Sequence, residues 1–212
     1  MIWPGIHELS AMVPLPGSYR YELLNRADIP AVIAAIKVWY PEVAVGAASC
    51  YLREDFYSDK VFLDGETEKD IFVFLIKRND ELAAIWSMEW EPYALTLYAK
   101  FGTVSPGHRG AKLSEYALAL IEKTGRAMGA GFVYGITTLK IPNMQLAFEH
   151  AGFQVIGFTP GYDREVVSPG VVKRVYEVVY AKVLVPEGDL LRPDTANMTP
   201  QVKALFELMF PR

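Results

Sequence analysis

The stretch Val104-Ser-Pro-Gly-His-Arg-Gly-Ala-Lys-Leu-Ser-Glu-Tyr-Ala-Leu118 constrains this chain more than any other. It reads as a β-strand that runs through a Pro/Gly turn into the start of an amphipathic helix. The first turn of a helix leaves several backbone N–H groups without intrahelical partners. They share that end with the positive pole of the helix dipole, so the turn forms a seat for a phosphate group. A chain that builds such a seat between a strand and a helix is expected to handle a phosphorylated ligand.

The elements around the seat follow from period and punctuation. Downstream, Leu113, Tyr116, Ala117, Leu120, Ile121 and Thr124 fall on one helical stripe, and Phe132 to Thr138 reads as a strand. A strand–helix–strand unit of that length is a right-handed crossover, which makes its two strands parallel neighbours. Upstream, Ile71 to Arg78, the Asn79-Asp80 turn signal, Glu81 to Glu89, the break at Pro92-Tyr93 and Ala94 to Val104 read as an antiparallel meander. Tyr19 to Leu24 is a first strand. Asp28 is placed to cap a helix carrying Ile29, Val32, Ile33, Ile36 and Tyr40 on one face, which Pro41 stops. A second helical stretch is expected within Ala47 to Ser58. Pro142-Asn143 opens a short helix that ends at Gly152. Phe153 to Phe158 and Val171 to Val185 form a closing antiparallel pair around a Pro160 to Pro169 loop. Residues 1–18 read as an irregular leader, 19–186 as the domain, and 187–212 as a tail. The tail carries a helix near Pro200 to Met209, with Val202, Leu205, Phe206 and Met209 on one side. That helix covers the domain's own core or docks on a partner.

Composition excludes several classes. Hydrophobic residues make up 51% of the 212, enough for a substantial core in a single domain. The formal charge of -4, with Lys and Arg scattered, argues against a nucleic-acid ligand. Cys50 is the only cysteine, so no intrachain disulfide forms, no Cys/His zinc spacing exists, and no metal is expected. The beginning lacks the order of a signal peptide, and the most apolar window, Ile29 to Ala48, is broken by Pro30, Lys37, Pro41 and Glu42. A cytoplasmic protein with no membrane partner is expected. No G-x-G-x-x-G dinucleotide turn and no G-x-x-x-x-G-K-[ST] P-loop occurs.

With its pieces in this order the chain resembles the GNAT superfamily of acyl-CoA-dependent N-acyltransferases. Leu24-Asn-Arg-Ala-Asp-Ile-Pro-Ala-Val32 is similar to the family's first strand entering its first helix. Val104-x-Pro-x-His-Arg-Gly-x-Lys-Leu-Ser114 is similar to its pyrophosphate motif, and Asn143 through Ala151-Gly152-Phe153 to its later Asn-led helix closed by Gly-Phe. The resemblance spans roughly Tyr19 to Val185. It implies an α/β (α+β) fold with a central mixed, mostly antiparallel sheet of about six or seven strands. Helices cover both faces, and the parallel pair splays at the coenzyme A site.

The resemblance also implies roles. Arg109, Gly110, Ala111, Lys112, Leu113 and Ser114 would hold the pyrophosphate of acetyl-CoA or coenzyme A. Gly102, Thr103 and Val104 would pair with the pantetheine arm, and Asn143 would contact the same molecule. Two departures stand out. Lys112 and Ser114 occupy the motif's final glycine pair, and Phe148 stands where many relatives carry a tyrosine that protonates the leaving thiolate. Tyr162 and Tyr134 are the candidate substitutes. Glu89, within Trp-Ser-Met-Glu-Trp, is the first candidate base, on the expectation that apolar neighbours desolvate it and raise its pKa. Glu91 is the second. His108 reads as a turn residue, and His7 and His150 have no catalytic company.

Three functions remain open at this point. The first is acyl transfer, most simply acetyl, to a small amine or peptide amine by direct attack. The second is a GNAT-like acyl-CoA-binding or sensor module without turnover. The third is an interaction protein whose helix start holds another anion or none. The acceptor would enter between Trp39 to Tyr57 and Pro160 to Pro169, and a homodimer would use the final strands or the tail helix.

Overall fold

A computed structural model describes residues 3–63, 65–66 and 69–211. Residues 1, 2 and 212, at the ends of the expected leader and tail, lie outside the described residues. Along the chain the elements are α1 (Ile6–Met12), β1 (Tyr19–Leu23), α2 (Ile29–Trp39), α3 (Glu54–Lys60), β2 (Val61–Phe62), β3 (Ile71–Arg78), β4 (Glu81–Glu91), β5 (Thr96–Val104), α4 (Leu113–Ala127), β6 (Phe132–Thr138), α5 (Asn143–His150), β7 (Gln154–Ser168), β8 (Val171–Val183) and α6 (Pro200–Met209).

The sheet order is β1-β3-β4-β5-β6-β8-β7, with β2 beside β3. Every pair on the main path is antiparallel except β5 and β6. This is the mixed, mostly antiparallel architecture expected. Strand β3 is buried from Ile71 to Ile76, so its continuous apolar run reflects cover on both faces. One face packs Leu9 of α1, Leu113 and Leu120 of α4, and Phe148 of α5 against Trp86, Met88 and Trp90. The other packs Val32 and Ile36 of α2 and Phe56 and Tyr57 of α3 against Val73, Leu75 and Ile85. Helices therefore cover both faces. Among the described residues no helix is long and apolar enough to cross a membrane.

Four local expectations change. First, the leader is not irregular throughout, since α1 forms between Gly5 and Val13 without a side-chain cap. Seven residues are too few for intrinsic stability, so packing of buried Leu9 and its neighbours Trp3 and Val13 holds it. Second, Asp28 does not cap α2 through its side chain. Asn25 instead caps the 3-10 turn Arg26–Asp28 that leads into α2, accepting from the amides of Ala27 and Asp28, while Asp28 reaches back to the Asn25 amide as the second half of a capping box.

Third, the Pro160 to Pro169 segment is not a loop but part of the 15-residue strand β7, and the reversal is confined to Pro169-Gly170. β7 is the sheet's edge, where proline removes no ladder bond. The register shift between Pro160 and Arg164 absorbs the Gly161-Tyr162-Asp163 segment as a bulge. Fourth, α6 does not cover the core. None of its residues is buried, and Leu205 and Leu208 are 56% and 77% exposed.

Candidate functional site

The parallel pair β5 and β6 is joined only over Thr96–Ala99 and Phe132–Gly135. β5 continues to Val104 and β6 to Thr138, so the two strands separate beyond that last rung. A bulge in β5 lies at the same level. Ala99 pairs with Met88 and Phe101 with Ser87, which leaves Lys100 as the extra residue. The strand is re-aimed there, and from Lys100 to Val104 one edge of β5 has no strand beside it. Gly102 belongs to this stretch for a steric reason, because a Cβ would lie 2.6–2.8 Å from the Trp86 ring.

β5 leads into the turn expected to seat a phosphate. After Val104 the chain makes a single 3-10 turn, Pro106–His108, and α4 begins at Leu113. Buried His108 anchors this turn. Its Nδ1 lies 2.9 Å from the Tyr19 hydroxyl, and its Nε2 lies 3.4 Å from Glu81 Oε1. The turn residue expected from sequence is therefore a bracket between β1, β4 and the seat.

The amides divide into two groups. Those of Arg109 and Ala111 donate to the carbonyls of Pro106 and His108. Those of Gly110, Lys112, Leu113 and Ser114 donate to no protein acceptor among the described residues. Gly110 (φ 89°) and Lys112 (φ 58°) both take left-handed backbone, the kind of local conformation from which anion-binding nests of successive amides are built. The Lys112 side chain is exposed, as is Arg109, and neither forms an ion pair among the described residues. The seat therefore presents four backbone donors with two cations at its rim. Asn143, at the start of α5, is also exposed, with no side-chain cap before it.

The expected acid–base groups are placed as follows. Glu89 is not desolvated by Trp86, Met88 and Trp90. Neighbours in a strand alternate sides, and those three lie in the core against α4 while Glu89 faces the other way. Its side chain is 30% exposed and ion-paired with Lys100 Nζ at 2.5 Å. The pair opens into a cleft of about 460 Å³ under α3, walled by Arg53, Phe56, Lys60 and Ile71. Tyr134 stacks on Tyr98 at 4.6 Å and donates its hydroxyl to Glu91 Oε1 at 2.8 Å. Burial and that carboxylate push the Tyr134 phenol upward, which weakens it as a proton donor. Tyr162 is half exposed, on β7. Phe148 is buried, stacked on Tyr180 at 5.1 Å and in edge contact with Phe153. Its ring tip lies so close to Gly135 that a Cβ there would be 2.4 Å away. Position 148 therefore sits beneath the last rung before the strands part, carrying no proton to give.

Sequence reasoning missed a second group of polar residues on the α2/α3 side. Glu177 of β8 is 9% exposed, lies between Thr138 of β6 and Thr159 of β7, and has an Oε2 atom with no hydrogen-bond partner. Burial first, then Asp163 and Glu165, push its carboxyl up to about 7. One signal for it exists in the sequence. In Val175-Tyr-Glu-Val-Val-Tyr-Ala181 the alternation assigns residue 177 to the same covered face as Val179 and Ala181, where an apolar residue is expected. The segment after α2 closes over this corner. The Ala47 amide donates to Asp163 Oδ1 at 2.8 Å, and a Cβ on Gly46 (φ 91°) would lie 2.3 Å from that oxygen.

No protein-family model matches the chain, and no curated protein sequence matches it. Solved structures do. A ribosomal L7/L12 alpha-N-protein acetyltransferase in complex with coenzyme A superposes with a TM-score of 0.61 at 11% identity, over 81% of this chain and 97% of that one. A spermidine N-acetyltransferase from Vibrio cholerae gives 0.60 at 10% identity, over 78% and 94%. A candidate phosphinothricin N-acetyltransferase gives 0.59 at 20% identity, over 80% and 100%. The chain has the fold of these acetyltransferases, and the GNAT-like architecture expected from the sequence is the one observed.

Proposed function

We propose that the chain is a GNAT-superfamily N-acyltransferase that moves an acyl group, in the simplest case acetyl, from acyl-CoA to an amine within a ternary complex. One observation carries this reading. Four amides, of Gly110, Lys112, Leu113 and Ser114, have no acceptor among the described residues, at a helix start reached from a strand with an unpaired edge. Those groups fit a pyrophosphate followed by an extended amide-bearing arm. The coenzyme A complex among the structures sharing this fold supports the same choice.

In this reading Arg109 and Lys112 add charge at the rim of the seat, and Ala111 shapes the turn. Gly102, Thr103 and Val104 offer backbone groups to the pantetheine, and Asn143, exposed at the start of α5, would contact the same molecule. The thioester supplies an activated carbonyl. The acceptor arrives from the α2/α3 side as an ammonium ion and must lose a proton before its nitrogen can attack. We assign that proton to Glu89, whose carboxylate faces this side. The C–N bond forms, the C–S bond breaks, and the second amine proton ends on the departing thiolate, through solvent, to give the free thiol. Holding both reactants in one gap supplies most of the acceleration.

A second reading has its own observation. Phe148 leaves the leaving thiolate without the phenol that many relatives place there, which suits a module that binds acyl-CoA without turnover. Two measurements decide. Titration calorimetry with coenzyme A should give micromolar binding, weakened about tenfold or more in Lys112→Glu, and no heat at millimolar ligand would defeat both readings. Thiol release from acetyl-CoA with a panel of amines then separates them, since the module would release thiol no faster than buffer.

A further inference from the structure

Three residues on one rung carry the inference. Thr138, Glu177 and Thr159 lie directly opposite one another on β6, β8 and β7, so their side chains share the α2/α3 face. Glu177 Oε2 and Thr159 Oγ1 are both buried, and neither has a hydrogen-bond partner. Adjacent buried polar atoms without partners are rare in folded proteins and call for an explanation. An ionised Glu177 Oε2 only accepts and the Thr159 hydroxyl both accepts and donates, so a group with several N–H donors satisfies the two together.

Charge points the same way. Asp163 and Glu165 approach Glu177 from β7. Asp163 is already committed, accepting from the amides of Ala47 and Arg164 at 2.8 and 2.7 Å. Glu165 is ion-paired with Lys140, and the Tyr40 hydroxyl lies 3.4 Å from its other oxygen. The nearby Arg174 is turned to the Gly161 carbonyl at 2.7 Å. Three carboxylates thus face one ammonium, and the carboxylate with no partner is the most enclosed of those still free to take one. A buried carboxylate in that position either protonates or acquires a cation.

We propose that Glu177 and Thr159, within the acidic surround of Asp163 and Glu165, bind a second ammonium group of the acceptor, so that the favoured substrates are diamines or similar dications. This rests on the acyltransferase reading and names the substrate class of that site. Its position fits. Thr138, the partner of Glu177, lies three residues beyond Gly135, where β6 leaves β5, or roughly 10 Å along the strand. A four-carbon diamine separates its nitrogens by roughly 6 Å, given C–C lengths near 1.5 Å, and a hydrogen bond at the far end covers the remainder. The stacked rings of Tyr98 and Tyr134 line the same face beside the point of separation and suit a methylene chain.

The test uses the full-length protein, acetyl-CoA, and two acceptors of equal chain length, 1,4-diaminobutane and butylamine. The wild type should show kcat/KM at least 30-fold higher for the diamine. Glu177→Gln should collapse that ratio to below about 3, chiefly through the KM of the diamine, and Thr159→Val should lower it 3- to 10-fold. A wild-type ratio near one overturns the proposal. So does a Glu177→Gln enzyme that keeps the ratio while kcat falls alike for both amines, which would make Glu177 the proton acceptor. Should Glu177→Gln fail to fold, the Thr159→Val ratio decides alone. If no amine releases thiol, the acyl-transfer reading fails separately. Calorimetry of 1,4-diaminobutane on wild type and Thr159→Val then reads the cation site directly, and equal binding, or none to wild type, overturns it.

Discussion

Glu177 couples the site to stability at the scale of one side chain. Its carboxyl sits at about 7 in the folded protein, while an unfolded glutamate titrates near 4.3. Between those values the folded chain holds a proton that the unfolded chain has lost, so stability falls as pH rises through that window and levels off above it. The groups facing Glu177 are Asp163, Glu165 with its Lys140 partner, Tyr40 and Tyr98. The loss over the whole window is on the order of 3–4 kcal/mol, most of it between pH 5 and 8. Urea unfolding at pH 5, 6, 7 and 8 should show this decline in the wild type and not in Glu177→Gln, which should be the more stable protein at pH 8. Parallel curves for the two would show that the carboxyl is not enclosed as described. Glu89 teaches the opposite lesson about local reading. Its sequence neighbours are apolar, yet its actual partner, Lys100, comes from the next strand.

At the scale of elements, α5 is locked to the sheet through Phe148. The ring stacks on Tyr180 of β8 and its tip meets Gly135 of β6. Placing at 148 the tyrosine that the sequence resemblance leads one to expect is therefore not a simple substitution. Phe148→Tyr places an oxygen at the ring tip, where a Cβ on Gly135 would already be 2.4 Å away. Overpacking of this kind costs roughly 1–3 kcal/mol. The expected outcome is a lower unfolding midpoint with no gain in kcat. A variant that gained kcat tenfold at unchanged stability would show that α5 can shift and that the ring is not confined. The strand β7 behaves as an element for similar reasons. Pro160 and Gly161 look like a loop in isolation, and only a place at the sheet's edge makes them compatible with a strand.

For the whole molecule, the sheet and its two helical layers are complete without the tail. α6 buries no residue, and Phe206 and Phe210 pack on each other beside a pocket that Pro193 also lines. Ending the chain at Pro186 should shift the thermal midpoint by no more than a few degrees, because little apolar area leaves the core. A fall of 10 °C or more would mean that the tail supports the domain. We also propose the homodimer as a property of this scale. Val202, Leu205 and Leu208 leave an apolar helix face exposed, and solution mass with and without residues 187–212 tests whether a second copy covers it.

The sequence by itself determined the order of elements from β3 to α5, the meander, the parallel crossover and the strand–turn–helix between Val104 and Leu118. These depend on period, on Gly and Pro positions and on the handedness of short connections, all of which are local. Tertiary structure alone decided where β5 and β6 part, that Lys100 and not an apolar wall meets Glu89, and that Glu177 lies buried beside Asp163 and Glu165. Those facts depend on which strands become neighbours and which face each residue takes after a bulge. A one-residue shift of register reverses every side chain beyond it, and nothing in the local pattern records that shift.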